Sequence, residues 1–412
     1  MKTDEQKPHP KTNDDRSTPS NKRRYIDNIS SYRQTEITPL PHCVAICSAG
    51  ELFGGVERHI LGMLSGLRSH GIDALLILFH EGELAAQVRE QGFEPIILLS
   101  YNRSILKTSL QLSRILARRK IRLVHVHGYK ATVFCALARC WHSFATVKTE
   151  HGLPEPMTGR PIRALCNRIY HFLDGLATWI ARAMVCYVTK DLLVYYRRTH
   201  SGLKTTVIPN GVDPIDRNQL HRPSELREDW FNLIIVGRLD TVKGHHLAIE
   251  AIATDHLSPD SHLHIIGTGP NELELREMVK SFGIEHRVHF LGFRRNVYDY
   301  IAYCHALLMP SLHEGLPYTL LEAMTLGIPI IASNIGGLAE VLQDDMTALL
   351  IPSENAKALT HAITRLRDPA LRHRLGESAQ QRQKEKYSLE AMTARYLTIY
   401  QDALRSIDQT HK

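Results

Sequence analysis

His313-Glu314-Gly315-Leu316-Pro317-Tyr318-Thr319-Leu320-Leu321-Glu322-Ala323-Met324 sets a glycine and a proline between two carboxylates, and that interruption decides how the segment folds. Proline sits best in the first turn of a helix, and glycine is a permissive lead-in. The segment therefore predicts a loop holding Glu314 and a helix from about Pro317 to Leu326, stopped by Gly327 and followed by a buried strand from Ile328 to Ala332. On one continuous helix the spacing of the two carboxylates would mean about 12 Å of rise and about 80° of rotation. Glu314 and Glu322 are thus not an acid and a base facing each other. The free N–H groups near Tyr318 and Thr319 are expected to point toward whatever lies beside Glu314. Glu322, one turn deeper, can accept two hydrogen bonds from a vicinal diol such as ribose.

Gly237-Arg238-Leu239-Asp240-Thr241-Val242-Lys243-Gly244 repeats this grammar one unit earlier. Leu233 to Val236 reads as an apolar strand, Gly237 to Lys243 as a turn, and Gly244 opens a helix running through Ile252. Ligands of parallel sheets bind at such strand-to-helix turns. Arg238 offers a planar fork and Lys243 a mobile point charge, and both suit phosphate oxygens. Each charged hydrogen bond contributes about 1.5–3 kcal/mol. Two fixed cations, two carboxylates and two helix N-termini together suit a sugar attached to a diphosphate.

On these motifs the chain resembles the GT-B glycosyltransferases of the large retaining family 4 type, over about Pro41 to Tyr400. The pattern continues in Ile208-Pro209-Asn210-Gly211-Val212-Asp213, Ile265-Ile266-Gly267-Thr268-Gly269-Pro270, Val288 to Gly292, Pro310-Ser311 and Ser333 to Glu340. One departure is Asn334, where Asp is commoner in the family; it touches none of the site roles. The resemblance implies that Arg238 and Lys243 bind the donor diphosphate, that Glu322 binds the nucleotide ribose and that Glu314 lies near the transferred sugar. It further implies backbone contacts from Gly237 and from Gly315, Leu316, Pro317, Tyr318 and Thr319. In the N-terminal half, Gly54-Gly55 matches a glycine turn facing the diphosphate, and His151 matches a histidine that approaches the donor sugar. Retention of anomeric configuration also follows from the resemblance.

Read from the residues alone, the N-terminal positions say less. Glycines at 54 and 55 let backbone N–H groups approach an anion, with a helix from Val56 behind them, but they also suit an ordinary turn. His151 follows the apolar strand Thr146 to Lys148 and could equally be a hydrogen-bonded structural histidine. His125 and His127 alternate along Leu123 to His127 and can reach a cleft from there.

Composition frames the rest. At 412 residues, 43% hydrophobic and 23% charged, the chain is long enough for two globular domains. Seven cysteines without a CxxC pair suggest no disulfide framework and fit a reducing cytosol. The 24 histidines include no HxxxH or mixed Cys/His spacing, so no metal site and no cofactor are expected. Residues 1–40 contain four prolines and eight Lys or Arg against six Asp or Glu, too little apolar surface to fold, and read as a disordered tail. Strands and helices alternate through 41–208 and restart in 209–388, which predicts two doubly wound α/β domains with a cleft between them. Residues 389–412 read as a closing helix that, by resemblance, crosses back to the first domain.

No segment is apolar enough to span a bilayer. Net charge of +7 points to anionic partners. Basic and apolar residues mix at Arg114 to Arg122 and again at Arg160, Arg163 and Arg168 with Ile162, Leu165, Ile169 and Phe172. Such segments fit reversible contact with an anionic membrane surface through the N-terminal domain. The expected protein is cytoplasmic, peripheral on the inner membrane, and transfers a sugar from a nucleotide sugar to a glycan or lipid-linked acceptor in bacterial surface polysaccharide or lipopolysaccharide synthesis. A sugar-nucleotide epimerase, a hydrolase or a nucleotide-sugar binding protein would share the fold. A nicotinamide dehydrogenase fits poorly, because Gly267-Thr268-Gly269-Pro270 lacks the third glycine. No nucleic-acid module is present, so no nucleic-acid partner is expected.

Overall fold

The computed structural model describes residues 42–50, 54–98, 104–153 and 161–410, except the side chains of 161–168 and 410. The expected tail at 1–40, Pro41, Arg160 and the side chains of Ile162, Arg163, Leu165 and Arg168 lie outside that description.

Two parallel sheets organise the chain. The first takes β1 (Cys43–Ser48), β2 (Asp73–Leu78), β3 (Ile96–Ile97), β4 (Leu123–His127), β5 (Ala145–Glu150), β6 (Met184–Tyr187) and β7 (Thr205–Val207) in the order β3-β2-β1-β4-β5-β6-β7. Its helices are α1 (Gly55–Ser69), α2 (Glu83–Glu90), α3 (Ile105–Arg118), α4 (Tyr129–Ala138), α5 (Pro161–Ile180) and α6 (Lys190–Tyr196). The second sheet, β8 (Phe231–Val236), β9 (Ser261–Ile266), β10 (Val288–Gly292), β11 (Ala306–Met309), β12 (Ile330–Ser333) and β13 (Leu349–Ile351), runs β10-β9-β8-β11-β12-β13. It carries α7 (His245–Ile252), α8 (Glu272–Ser281), α9 (Val297–Tyr303), α10 (Tyr318–Thr325), α11 (Gly336–Val341), α12 (Ala356–Arg365) and α13 (Pro369–Lys386). In both sheets the strand order reverses beside the first strand, the switch point where α/β sheets bind ligands. Central strands such as β4 and β9 are buried along their whole length, as a sheet covered on both faces requires.

The last helix, α14 (Leu389–Thr410), leaves the second sheet and packs on α1 and β5 of the first. Its Leu389, Met392, Tyr396 and Tyr400 join one core with Val44, Ile60, Leu64 and Val147. Where the chain passes between the sheets, its two crossings are bonded to each other. Val212 N–H donates to Tyr387 O (3.0 Å) and Leu389 N–H to Val212 O (3.3 Å). Gly211 makes that approach feasible: a Cβ there would fall 2.3 Å from Ser388 O.

Helix α5 is turned inside out. Among its described side chains, Asp174, Ala177 and Thr178 form the buried side, and Asp174 pairs with the fully buried Lys148 (2.6 Å), which Glu150 holds as well (2.6 Å). Burial opposes the Lys148 charge, but the two carboxylates outweigh it and hold its pKa above the ordinary lysine value. The outward side carries Ile169, Tyr170, Phe172, Leu173, Leu176, Trp179 and Ile180, all exposed.

Candidate functional site

The turn after β8 and the loop after β11 meet because those strands are neighbours in the sheet. Leu312 N–H donates to Val242 O at 2.8 Å and fastens one to the other. Lys243 ends a single 3-10 turn, Thr241–Lys243, and its N–H donates to Oδ1 of the N-cap Asp240 at 3.2 Å. Gly244 follows in the left-handed region (φ 69°) and hands the chain into α7. In consequence the Lys243 ammonium grips both oxygens of Glu314, at 2.7 and 2.9 Å, and Ser311 Oγ donates to the same carboxylate at 2.9 Å. Glu314 is buried, whereas Lys243 keeps partial access to solvent. Two residues to which sequence assigns separate jobs thus form one ion pair. Arg238 lies exposed at the start of the turn, and the stem of Lys243 rests on Gly237.

Helix α10 begins one residue later than expected, at Tyr318, with Pro317 as an N-cap that offers no side-chain acceptor. Its leading N–H groups are therefore uncapped by any side chain and favour an anion. Leu316 is buried, while Gly315, Pro317 and Thr319 are half-buried along the loop and first turn. The fit against the first domain is tight. A Cβ on Gly315 would lie 2.5 Å from His151 O, and one on Gly55 would come within 4.0 Å of the Tyr318 ring. Gly54 caps α1, and its own N–H is taken by Glu57 Oε2 at 2.9 Å.

Glu322 is wholly buried, one turn into α10. Arg58, from α1 of the other domain, donates to Glu322 Oε1 and to Tyr298 Oη (3.1 Å), and Tyr298 Oη donates to the same carboxylate oxygen at 3.4 Å. The second oxygen, Oε2, is buried without a partner. Burial raises the Glu322 pKa above the usual carboxylate value, with Arg58 pulling the other way. A ligand hydroxyl donating to Oε2 would relieve an unsatisfied acceptor. Sequence reasoning does not reach Arg58 or Tyr298. Arg58 lies 264 residues from Glu322 and Tyr298 lies 24, and nothing local marks either.

His151 lies at the end of β5 in a cluster with His59, His125 and His127. His125 is sealed between Tyr400 Oη (2.7 Å) and Thr149 Oγ1 (2.8 Å) and does not reach the cleft. His127 Nδ1 meets His151 Nε2 at 3.0 Å. His59 Nδ1 donates to Asn210 Oδ1 at 3.0 Å, and Asn210 Nδ2 donates to Leu316 O at 2.7 Å, joining the cluster to the α10 loop. Among the described residues, two groups could hold a metal, His59 with His127 and His151, and Glu150 with Asp174 and His200. Neither is visible in sequence spacing, since each collects residues from separate strands and helices. The second group is already filled by the Lys148 ammonium. The six described cysteines are all free.

Two family models match adjoining stretches of the chain: "Glycosyltransferase Family 4" over residues 53–215 and "Glycosyl transferases group 1" over 216–382. The chain is 26% identical over 335 residues to the Escherichia coli UDP-Gal:alpha-D-GlcNAc-diphosphoundecaprenol alpha-1,3-galactosyltransferase, covering 77% of this chain and 86% of that one. It is 32% identical over 191 residues to the Bacillus anthracis N-acetyl-alpha-D-glucosaminyl L-malate synthase, covering 46% of this chain and half of that relative's length. Among solved structures it matches Anabaena Alr3699/HepE in complex with UDP and glucose, with a TM-score of 0.73, 20% identity and coverage of 87% and 98%. It also matches a sucrose-phosphate synthase from Thermosynechococcus elongatus, with a TM-score of 0.71, 20% identity and coverage of 88% and 99%. At such identities the structural likeness is one of fold.

Proposed function

Because the chain belongs to the GT-B glycosyltransferases of the group 1, family 4 type, enzymes that transfer sugars, we propose that it moves a sugar from a nucleoside diphosphate donor to a hydroxyl of a glycan or lipid-linked acceptor, with retention. The observation that carries this reading is the junction at α10. An uncapped helix N-terminus lies between the Lys243–Glu314 pair and the open acceptor of Glu322, against Gly55 of the other domain. A diphosphate gains charge as the glycosidic bond breaks, and preorganised donors that meet that charge lower the barrier. Lys243, Arg238 and the N–H groups of α10 are such donors, so the step needs no metal. In this reading Glu314 lies near the transferred sugar, and His151, whose backbone carbonyl packs against Gly315, approaches it from the first domain.

Glu322 takes the ribose in this proposal, its free Oε2 accepting a hydroxyl while Arg58 and Tyr298 hold Oε1. Glu322→Ala is expected to weaken donor binding by 10-fold or more, about 1.4 kcal/mol or above, with a smaller effect on the rate of bound donor. Calorimetric titration with UDP checks this; an unchanged affinity would contradict the ribose assignment. Labelled donor then separates transfer to an acceptor from epimerisation or hydrolysis through the identity of the product. The activities of the E. coli relative and of a similar Rhizobium meliloti lipopolysaccharide core biosynthesis glycosyltransferase support an acceptor in bacterial surface glycan synthesis.

The reading includes a peripheral place on the inner face of the membrane. No described helix is long and apolar enough to cross one. Support comes from α5, whose outward side holds Phe172 at 69% and Trp179 at 61% exposure and no described charge. Helix α4 packs between α5 and α3, which presents exposed Lys107, Arg114 and Arg118, followed by Arg119 and Lys120. Aromatic and aliphatic groups beside a basic row suit the interface of an anionic bilayer. Phe172→Glu with Trp179→Glu is expected to abolish sedimentation with anionic vesicles at low salt while leaving UDP affinity unchanged. Retained binding would sink the assignment to α5.

A further inference from the structure

Asn210 stands in the linker between the two sheets, in the stretch Ile208-Pro209-Asn210-Gly211-Val212-Asp213, and its side chain is buried. The backbone around it is pinned on both sides. Ile208 N–H donates to Tyr187 O of β6 (2.9 Å), and Gly211 N–H donates to Met392 Sδ of α14 (3.1 Å). The amide therefore projects from a fixed post, and one end of it serves each domain. Its Nδ2 donates to Leu316 O at 2.7 Å, and its Oδ1 lies 3.0 Å from His59 Nδ1. Leu316 O can only accept, so the amino group must face it, and the carbonyl oxygen is left to take the proton of His59 Nδ1. Burial lowers the pKa of His59 to about 4, so near neutral pH the ring is uncharged and keeps this arrangement.

The bond from Leu316 to Pro317 has no N–H, so a hydrogen bond can orient that peptide only through its carbonyl. Pro317 is also the N-cap of α10 and offers no side-chain acceptor. The direction in which the leading N–H groups of α10 point is thus set upstream, at Leu316, and Asn210 is what holds Leu316 O. His59 and Arg58 are consecutive on α1, and they engage α10 at two places, its entry through Asn210 and Glu322 directly. Two separate attachments fix the tilt of α10 against α1, and with it the approach of Gly55 to the Tyr318 ring. Asparagine suits this task where leucine or an ionised aspartate would not: one short side chain must give a proton to a carbonyl and accept one from an imidazole.

We propose that Asn210 is a positioning residue for the donor: by holding Leu316 O from the linker and His59 from α1, it aims the N-terminus of α10 at the gap facing Gly54 and Gly55, where the diphosphate of a nucleotide sugar would lie. This role rests on the donor reading proposed above and adds to it the group that sets the direction of the anion site. A preorganised N–H acts on an anion only within about 2.7–3.1 Å, so a shift of roughly 1 Å at the helix entry is enough to lose it.

Hydrogen–deuterium exchange of the full chain without nucleotide reads the helix entry. Asn210→Leu branches at the same carbon but neither donates nor accepts, and it is expected to speed exchange across residues 316–322 at least about 10-fold while β8 and β9 keep their wild-type rates. Calorimetry reads the consequence for binding. Affinity for UDP should fall at least about 10-fold, whereas the ratio of UDP to 2′-deoxy-UDP affinity, which reports the proposed ribose contact at Glu322, should stay within about 2-fold of wild type. A general loosening of α10 would collapse that ratio too. His59→Asn places an amide nitrogen where Nδ1 stands and should keep both readouts within about 3-fold of wild type, while His59→Leu should match Asn210→Leu. Unchanged exchange or UDP affinity in Asn210→Leu, a collapsed ratio, or equal losses in the two His59 variants would overturn the role of Asn210. Exchange needs no nucleotide, so a wild-type chain that fails to bind UDP refutes the donor reading, and Asn210 is then judged by exchange alone.

Discussion

Lys243→Ala is expected to lower the transfer rate by roughly 10²–10³-fold, the scale on which removal of one preorganised donor to a developing anion acts. Donor affinity should change far less, because in the proposed binding mode the diphosphate keeps Arg238 and the α10 N-terminus in the ground state. The variant also strands Glu314, which is buried and would retain only Ser311 Oγ as a donor. An unpaired buried carboxylate tends to take up a proton rather than stay charged. Lys243→Ala/Glu314→Gln isolates that contribution. If ammonium and carboxylate act as one unit, the double variant loses about as much rate as the worse single one. Single-turnover kinetics with saturating donor measures this. A loss smaller than about 3-fold for Lys243→Ala would remove the lysine from leaving-group stabilisation.

The second large effect concerns pH and stability. Burial pushes His245 down to about 4, with the Lys243 charge adding to it, and pushes His264 down to about 3, with His289 and His262 adding. His264 is locked as well as buried: its Nε2 donates to Asn232 Oδ1 (2.9 Å), and Asn232 Nδ2 donates onward to Arg227 O (2.8 Å). Both folded values lie below the ordinary histidine value of 6.5. Between those values the unfolded chain binds the extra proton, so stability rises with pH. The neutral rings contribute fully above about 6.5 and progressively lose that contribution as the pH falls toward the folded values. The difference for His245 corresponds to about 3 kcal/mol and for His264 to roughly 5 kcal/mol, against typical domain stabilities of about 5–15 kcal/mol. Thermal melts followed by circular dichroism are therefore expected to show a steep fall in Tm between pH 6.5 and 4.5. His264→Gln should flatten that limb. A Tm constant to within about 3 °C over this range would contradict the assignment.

The fold was legible in the sequence because it is written locally. Apolar runs bounded by glycine or proline mark β4, β8 and β12, and the Gly315 and Pro317 punctuation separates the Glu314 loop from α10. Helix α4 was harder to see, since Tyr129 to Ala138 is apolar almost all round and lacks an amphipathic period. Roles at the site were read from residue type, but pairings were not. Lys243 reaches Glu314 because β8 neighbours β11, a crossover that no local pattern encodes. Arg58 reaches Glu322 across two domains, and His125 is closed off by Tyr400 of the last helix. Each is a tertiary juxtaposition of segments that are silent when read singly.

Both passages of chain between the sheets are stitched together at Val212, Tyr387 and Leu389. Two connections bonded at one seam place a single pivot between the sheets, so any relative motion of the halves would be a rotation about it. Residues near the axis, such as Asn210, then hardly travel when the halves part. Those at the far rim travel furthest, and the Arg295 to Glu83 bridge (2.7 Å) spans α2 and the second domain away from the seam. An inserted residue at position 211 would break the close approach to Ser388 and with it the bonds that tie one crossing to the other.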